Sequence, residues 1–233
     1  MSHRRRAAVL LLALLCGCTQ PVAPDGRPAR GDHPAGHRRL PPVVDHVPTR
    51  DPVVFLTYDD GAEKDPRFVA MVRELRLPVS MFLTDSVVGP GYAHFARLRA
   101  VGATLQNHTL DHTALRGLPY AGQRAEICGQ QRKLRARFGV RPHLFRPPHG
   151  AYDRTTLRAA ADCGITAVVL WRATMPSDTL AFRSAPARLR PGDVVTLPSA
   201  DAASPPLHER TRSLLREIRR AGLRVARLED YVR

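Results

Sequence analysis

Short apolar runs alternate with amphipathic segments from about residue 53 to the end of the chain. Residues 53–58 (VVFLTY) form a continuous apolar run of the kind found in buried strands, whereas residues 65–75 favour a helix. Further strands are predicted at residues 79–83, 103–106, 144–145, 165–170, 194–197 and 223–226. Further helices are predicted at residues 92–100, 120–138, 154–162 and 207–221.

This order of elements predicts an α/β fold. Repeated strand–helix units of this length are typical of a mostly parallel sheet with short crossover connections. About seven such units favour a closed or nearly closed barrel over an open sheet, although periodicity alone does not separate the two.

The first 18 residues have the pattern of a bacterial export leader. Three arginines precede a short apolar run, residues 7–15, which is too short to span a bilayer as a mature helix. The run leads into Cys16-Gly17-Cys18, which resembles a lipobox with Cys18 as the lipid acceptor. We therefore expect an exported protein, either a cell-membrane lipoprotein or a secreted product of simple leader cleavage.

Residues 19–50 are rich in Pro, Gly, Arg and His and lack apolar periodicity, so we expect a disordered tether. His46 and the other histidines of this segment are expected to be solvated. The folded domain is then expected to span residues 51–233, a length that suits one core.

The net charge of +15 and the isoelectric point near 11.1 favour an anionic partner, such as an acidic cell-wall polymer or anionic lipid. A compositional explanation competes, because nearly all basic residues are Arg and the charges are spread along the chain. The sequence has no zinc-finger spacing and no interleaved aromatic pattern, so we expect no nucleic-acid partner. We also expect a monomer.

Two cysteines, Cys128 and Cys163, remain beyond the leader. In an oxidising compartment such a pair favours a disulfide, but sequence spacing does not tell whether the Cα atoms are close enough to bridge. Neither belongs to a C-x-x-C motif, which argues against a cysteine metal site.

Polar residues that carry chemistry follow the predicted strands. Asp59 and Asp60 end the first strand, His108 and His112 follow the third, and Arg146 follows the fourth. Functional groups of α/β barrels lie where strands end. Two adjacent carboxylates need a compensating cation, and the His-x-x-x-His spacing brings two imidazoles together as a metal requires. One carboxylate and two imidazoles leave positions open for water and substrate, as in a catalytic metal site.

Each of these features has a plainer explanation when it is taken alone. Asp-Asp-Gly favours a turn, loop histidines are common, and Arg-Pro-Pro can be only a rigid extended connection. Their order along the chain, each at the end of a strand, favours a common site.

Three segments together resemble the motifs of the polysaccharide deacetylase (NodB-homology) family: Thr57-Tyr58-Asp59-Asp60-Gly61, His108-Thr109-Leu110-Asp111-His112 and Arg146-Pro147-Pro148-His149-Gly150. The resemblance covers residues 53–231. It implies a deformed (β/α) barrel that removes acetyl groups from glycans with a divalent metal, most commonly zinc (Zn2+), with cobalt or another divalent ion as alternatives.

The same resemblance implies a role for each matching residue. Metal ligands would be Asp60, His108 and His112. Asp59 would be the general base, and Arg146 would pair with it and hold it ionised. The backbone near the His149-Gly150 pair would stabilise the oxyanion.

Two later segments depart from the family pattern. Trp171 is not followed by an Asp-Trp pair, and a lone Trp is more typical of packing than of a substrate platform. Pro198 stands where the family has the His that protonates the leaving amine, and general acid catalysis contributes about 10²–10⁴-fold in rate. The candidate replacements are water, His149 and His208, although His208 is more simply explained as a surface residue at a helix start.

The sequence therefore predicts a metal-dependent deacetylase of an N- or O-acetylated glycan: peptidoglycan, chitooligosaccharide or xylan. An ester substrate would need the missing acid less than an amide would. One alternative is a non-catalytic lipoprotein that binds metal and acetylated glycan. Another is a basic envelope protein that binds an anionic polymer and leaves the site idle.

Overall fold

A computed structural model describes residues 39–199 and 205–232, in which strands and helices alternate. The strands are β1 Val43–Val44, β2 Val53–Asp60, β3 Val79–Leu83, β4 Thr104–Asn107, β5 Leu144–Phe145, β6 Ala167–Val169, β7 Ala173–Thr174, β8 Ala181–Phe182, β9 Val194–Leu197 and β10 Arg224–Ala226. The helices are α1 Pro66–Glu74, α2 Asp85–Val88, α3 Tyr92–Ala100, α4 Tyr120–Phe138, α5 Arg154–Asp162 and α6 Leu207–Arg220.

The strands pair in one continuous sheet. The sheet order is β1-β6-β5-β4-β3-β2-β9-β7-β8, with β10 also paired to β2. Strands β6 and β7 are separated by only three residues, so the chain itself links the β5–β6 side of the sheet to the β7–β9 side. All strand pairs are parallel except β7–β8. The predicted α/β class and deformed barrel are confirmed.

The alternation of β2 explains which side chains enter the barrel. Val54 and Leu56 pack with Phe68 of α1 in the layer between strands and helices. Phe55 packs instead with Phe82 of β3 and with interior residues of β5, β6 and β9. Because strand side chains alternate between faces, Asp59, four residues after Phe55, also faces the interior.

Local sequence signals determine where the helices around the barrel begin and end. The Asp65 side chain accepts the backbone N–H of Arg67 and so caps α1, which begins with a proline. Helix α5 begins with a capping box formed by Asp153 and Thr156. Helix α4 ends at Gly139, whose φ of 68° suits glycine. These helices therefore start and stop close to where the sequence predicts.

The predicted tether at residues 19–50 is wrong over its last part. Val43–Val44 forms β1, which pairs in parallel with β6. His46 is not a free solvated residue, because its Nδ1 lies 3.2 Å from Asp193 Oδ1. This strand has only two apolar residues and lies in a segment whose Pro, Gly and Arg content indicated a tether, so it was not predicted. Residues 1–38, which include the predicted leader, lie outside the described residues.

The predicted disulfide is confirmed. Cys128 of α4 and Cys163 after α5 are bonded, with a Cα–Cα distance of 5.1 Å. This bridge fastens two helices of the outer layer to each other. In the part of the chain that the structure describes, no helix is both long and apolar enough to cross a membrane.

Candidate active site

Asp59, Arg146 and Thr196 meet inside the barrel, at the carboxyl ends of their strands. Arg146 Nη1 donates to Asp59 Oδ1 at 2.5 Å and to Thr196 Oγ1 at 3.0 Å, and Thr196 Oγ1 donates to Asp59 Oδ2 at 2.9 Å. Both oxygens of the Asp59 carboxylate therefore have a donor. The predicted pairing of Arg146 with Asp59 is present in the geometry.

Arg146 is buried and donates four hydrogen bonds. Its remaining N–H groups donate to the carbonyl oxygens of Val169 and Leu170, at 3.0 and 3.1 Å, and its guanidinium lies 4.3 Å from the centre of the Phe82 ring. Burial lowers the pKa of Arg146, and the Asp59 carboxylate opposes this effect. The side chain is therefore a fixed cation that holds Asp59 in one orientation.

Asp60, His108 and His112 form a second cluster beside the first. Asp60 Oδ1 lies 3.3 Å from His108 Nε2 and 3.1 Å from His112 Nε2. Burial alone would raise the pKa of Asp60, but the two adjacent imidazoles lower it well below its usual range. The Asp60 carboxylate in turn raises the pKa of His112. The predicted metal ligands are thus together in space.

The donor set fits a divalent metal. One ligand atom from each of the three residues can be chosen so that all three lie within 4.8 Å of one another. Asp60 Oδ1 is buried and accepts no hydrogen bond of good geometry within the described residues, a deficit that a cation would remove. His108 Nδ1 lies 2.8 Å from the Arg146 carbonyl, which can only accept, so the proton sits on Nδ1 and Nε2 stays free as a ligand.

The loop that carries the two histidines is held by residues that the sequence analysis missed. Glu126 of α4 accepts the backbone N–H groups of Leu110 and Asp111, at 3.2 and 3.0 Å. The Asn107 side chain accepts the N–H of Thr109 at 2.9 Å and donates to Ile127 O at 2.9 Å. These contacts fix a bend that no helix or strand supports.

Left-handed backbone marks the same neighbourhood. Asp60, Thr109, His112 and His149 have φ values of 65°, 73°, 56° and 58°. Such conformations cost free energy for residues other than glycine and persist only where surrounding contacts impose them. At Asp60 and His112 this backbone conformation gives the side chain a direction that differs from the one it would have in a regular strand.

The turn after β5 carries His149 and Gly150. The His149 ring is exposed and its centre lies 5.0 Å from that of His112, so His149 borders the cluster. The Gly150 N–H donates to Pro147 O at 2.9 Å and is therefore not free for an oxyanion. The Gly150 N–H closes the turn, and the expectation that the backbone near His149 and Gly150 stabilises an oxyanion stays a prediction.

Pro198 and Asp59 line the same narrow cleft. Pro198 O accepts from Arg210 Nη1 at 3.0 Å, so the segment after β9 is anchored to α6. His208, one of the candidate replacement acids, is 6% exposed and its Nδ1 lies 2.7 Å from Asp65 Oδ2. The expectation of a surface His208 is therefore wrong: the side chain closes the contact between α6 and the start of α1.

Comparison with known proteins agrees with this geometry. The family model for polysaccharide deacetylases matches residues 46–168. A relative described as an uncharacterized protein of Streptomyces coelicolor is 61% identical over 230 residues, which cover 96% of this chain and 92% of the relative. A chitooligosaccharide deacetylase of Bradyrhizobium is 27% identical over 152 residues, which cover 62% and 69% of the two chains.

Solved structures share the fold at low identity. A carbohydrate esterase family 4 pseudoenzyme of Bacillus anthracis matches with a TM-score of 0.70 and 15% identity, over 83% of this chain and 69% of that one. A mutant of the same pseudoenzyme, described as having restored enzymatic activity, matches with the same TM-score and 16% identity, over 83% and 72%. This chain belongs to the polysaccharide deacetylase family.

Proposed function

We propose that this protein is a metal-dependent hydrolase that removes acetyl groups from a glycan of the cell envelope. The observation that carries the proposal is the arrangement of Asp60, His108 and His112 next to the paired Asp59 and Arg146. Family membership supports the deacetylase class. The metal, the glycan and turnover by this chain are parts of the proposal.

A divalent ion held by Asp60, His108 and His112, most simply Zn2+, would supply Lewis-acid chemistry, polarising the acetyl carbonyl and acidifying a water molecule. Asp59 would take the proton of the attacking water. Arg146 donates to one oxygen of the Asp59 carboxylate and Thr196 to the other, so this carboxylate is oriented before substrate binds.

Protonation of the leaving group is the step for which the site lacks the usual donor. Pro198 has no proton to give, and His208 is committed to Asp65. His149 is the remaining candidate near the cluster, since its ring is exposed and borders His112. An ester leaves without needing full protonation, so we expect O-acetyl substrates to react faster than N-acetyl substrates.

Pro198 also favours a second candidate, a non-catalytic protein of the same fold that binds metal and acetylated glycan. A structural neighbour described as a pseudoenzyme makes this alternative concrete for the fold. Acetate release by the unmodified protein distinguishes the two, because the second candidate has no turnover. In the variant Pro198→His, a rise of tenfold or more in acetate release is expected if the missing acid is what limits the site.

Acetate release tests the proposal directly. The purified protein, loaded with zinc or cobalt, would be assayed on acetylated chitooligosaccharide, peptidoglycan and acetylated xylan. We expect release from at least one of them. Stoichiometric metal binding without release from any of the three would contradict the enzyme assignment and favour the binding protein.

Two single variants test the assigned roles. His108→Ala removes a metal ligand, so we expect stoichiometric metal binding to be lost. Asp59→Asn keeps the three ligands but removes the base, so we expect metal binding to remain and acetate release to fall by at least about 10²-fold. Full activity in Asp59→Asn would mean that another group takes the proton.

For the cell, we propose export through the leader at residues 1–18, with Cys18 as the site of a lipid anchor. The support is the charge and apolar pattern of that segment. Mass spectrometry of the protein from its native envelope would detect the lipid on Cys18, and an unmodified, cleaved N-terminus would contradict the anchor but not the export.

A further inference from the structure

Arg183 lies beside the turn that borders the metal-ligand cluster. Its side chain is exposed, and its guanidinium lies 5.0 Å from the centre of the Trp171 ring. Its Nη1 is 3.3 Å from the position that a Cβ on Gly150 would occupy. Gly150 follows His149, whose ring is 5.0 Å from that of His112. These contacts place the Arg183 cation at the mouth of the proposed active site.

Within the described residues, no carboxylate compensates the charge of Arg183. Three arginines of the barrel are fully buried, and each has a carboxylate partner: Arg146 with Asp59, Arg172 with Asp193, and Arg210 with Glu63. Across residues 39–199 and 205–232, by contrast, Arg183 forms no ion pair and its side chain donates no hydrogen bond. Its five N–H donors are therefore available to a ligand.

The Arg183 side chain is nevertheless oriented. Its backbone N–H donates to Arg172 O at 2.9 Å, which fixes the chain after β8. The centre of the Trp171 ring lies 5.0 Å from the Arg183 guanidinium and 5.4 Å from that of Arg146. Cation–π contact of this kind restrains the guanidinium while its N–H edges stay free for hydrogen bonds. The cation is thus held in advance of binding.

We propose that Arg183 binds a carboxylate of the substrate, so that the acetylated glycan taken by this site is an acidic one. The inference rests on the proposed function, because it names the substrate class of the same site. One planar guanidinium matches the two oxygens of one carboxylate through parallel N–H···O bonds. Among the candidate glycans, peptidoglycan strands carry such a carboxylate on N-acetylmuramic acid, whereas chitooligosaccharides are neutral.

The test compares two tetrasaccharides on the zinc-loaded full chain. One is N-acetylchitotetraose, and the other is a peptide-free strand of alternating N-acetylglucosamine and N-acetylmuramic acid. Where acetate is released, KM is measured for each glycan; where none is released, the glycans persist and Kd is measured by calorimetry. We expect Arg183→Gln to raise the KM or Kd of the acidic glycan by about tenfold and that of the neutral glycan by less than about twofold. For Arg183→Lys we expect an intermediate rise for the acidic glycan.

Arg158→Gln is the matched control. Arg158 is also exposed and also lies over an aromatic ring, 4.4 Å from the centre of Tyr120, but it belongs to the outer helix α5. We expect this variant to change the KM or Kd of neither glycan by more than about twofold. If Arg158→Gln weakened binding of the acidic glycan as much as Arg183→Gln does, the effect would come from net charge alone, and the proposal would be overturned. The proposal would also be overturned if Arg183→Gln weakened binding of both glycans equally, or weakened neither.

The outcomes separate this inference from the proposed function. Acetate release from the neutral glycan, with no preference for the acidic one in the unmodified protein, would leave the deacetylase intact and remove the role of Arg183. No release from either glycan, with acid-selective binding that Arg183→Gln abolishes, would remove the enzyme and keep the binding role.

Discussion

At the scale of single residues, Thr196 links the two charged groups of the site. Its hydroxyl accepts from Arg146 at 3.0 Å and donates to Asp59 at 2.9 Å. Thr196→Val keeps the shape but leaves both buried charged groups one partner short. We expect the free energy of unfolding to fall by about 1–3 kcal/mol and kcat to fall with KM little changed, measured by denaturant titration and acetate release.

Two further variants define what that result means. Thr196→Ser restores the hydroxyl and should recover most of kcat. Thr57→Val removes a buried hydroxyl that donates only to Val195 O, at 3.0 Å, so it should cost stability without the same loss of kcat. A Thr196→Val protein with unchanged kcat would show that the hydroxyl does not position Asp59.

Some residues of the site could be predicted from the sequence and others could not. Asp60 and His108 were predicted because they carry unusual chemistry directly after strands. Thr196 and Glu126 were not, because a threonine within a strand and a glutamate within a helix are ordinary by local pattern. Only the pairing of β9 with β2, which are far apart along the chain, brings Thr196 to Asp59, and only the packing of α4 brings Glu126 under the histidine loop.

At the scale of elements, Asp153 connects the start of α5 to the loop after the metal ligands. It accepts the N–H of Thr156 at 2.8 Å and the N–H of Gly117 at 2.9 Å. The hydrogen bond from Gly117, together with those from Thr156, outweighs burial and lowers the pKa of Asp153 to about 2. Because the folded-state pKa is depressed, the stability it contributes is full above about pH 4 and is lost as pH falls towards 2.

This sign gives a pH-dependent prediction for Asp153→Asn. Asparagine keeps the capping oxygen but cannot ionise, so the variant should be less stable than the unmodified protein at pH 6 and approach it at pH 3. Asp153→Ala, which loses the cap as well, should cost about 1 kcal/mol more at pH 6. Denaturant titrations at the two pH values measure both gaps, and a gap that does not change with pH would contradict the assignment.

The elements themselves were predictable according to their length. Helices α4 and α5 and strand β3 were predicted at their observed bounds, because nine or more helical residues, or a five-residue strand with four apolar positions, give a clear pattern. Strands β1, β7 and β8 have two residues each and were not predicted, whereas the equally short β5 was predicted from Leu144-Phe145 between two helical segments. The β7–β8 hairpin, which carries the chain to Arg183, was therefore beyond sequence reasoning.

At the scale of the whole molecule, the Cys128–Cys163 disulfide closes a loop of the chain with a sequence separation of 35. A bridge of this span stabilises mainly by restricting the unfolded chain, by about 4 kcal/mol in the chain-entropy model. In the folded state α4 has its own attachments beside the metal loop, through Glu126 to Leu110 and through Ile127 O to Asn107.

The double variant Cys128→Ser/Cys163→Ser should therefore separate stability from function. We expect the free energy of unfolding to fall by about 2–4 kcal/mol while the metal dissociation constant stays within about threefold of its original value, measured by denaturant titration and metal competition. Removal of the bridge acts on the unfolded ensemble, whereas the ligands are held by hydrogen bonds that remain. A tenfold weaker metal affinity would instead mean that the bridge holds α4 in register under the histidine loop.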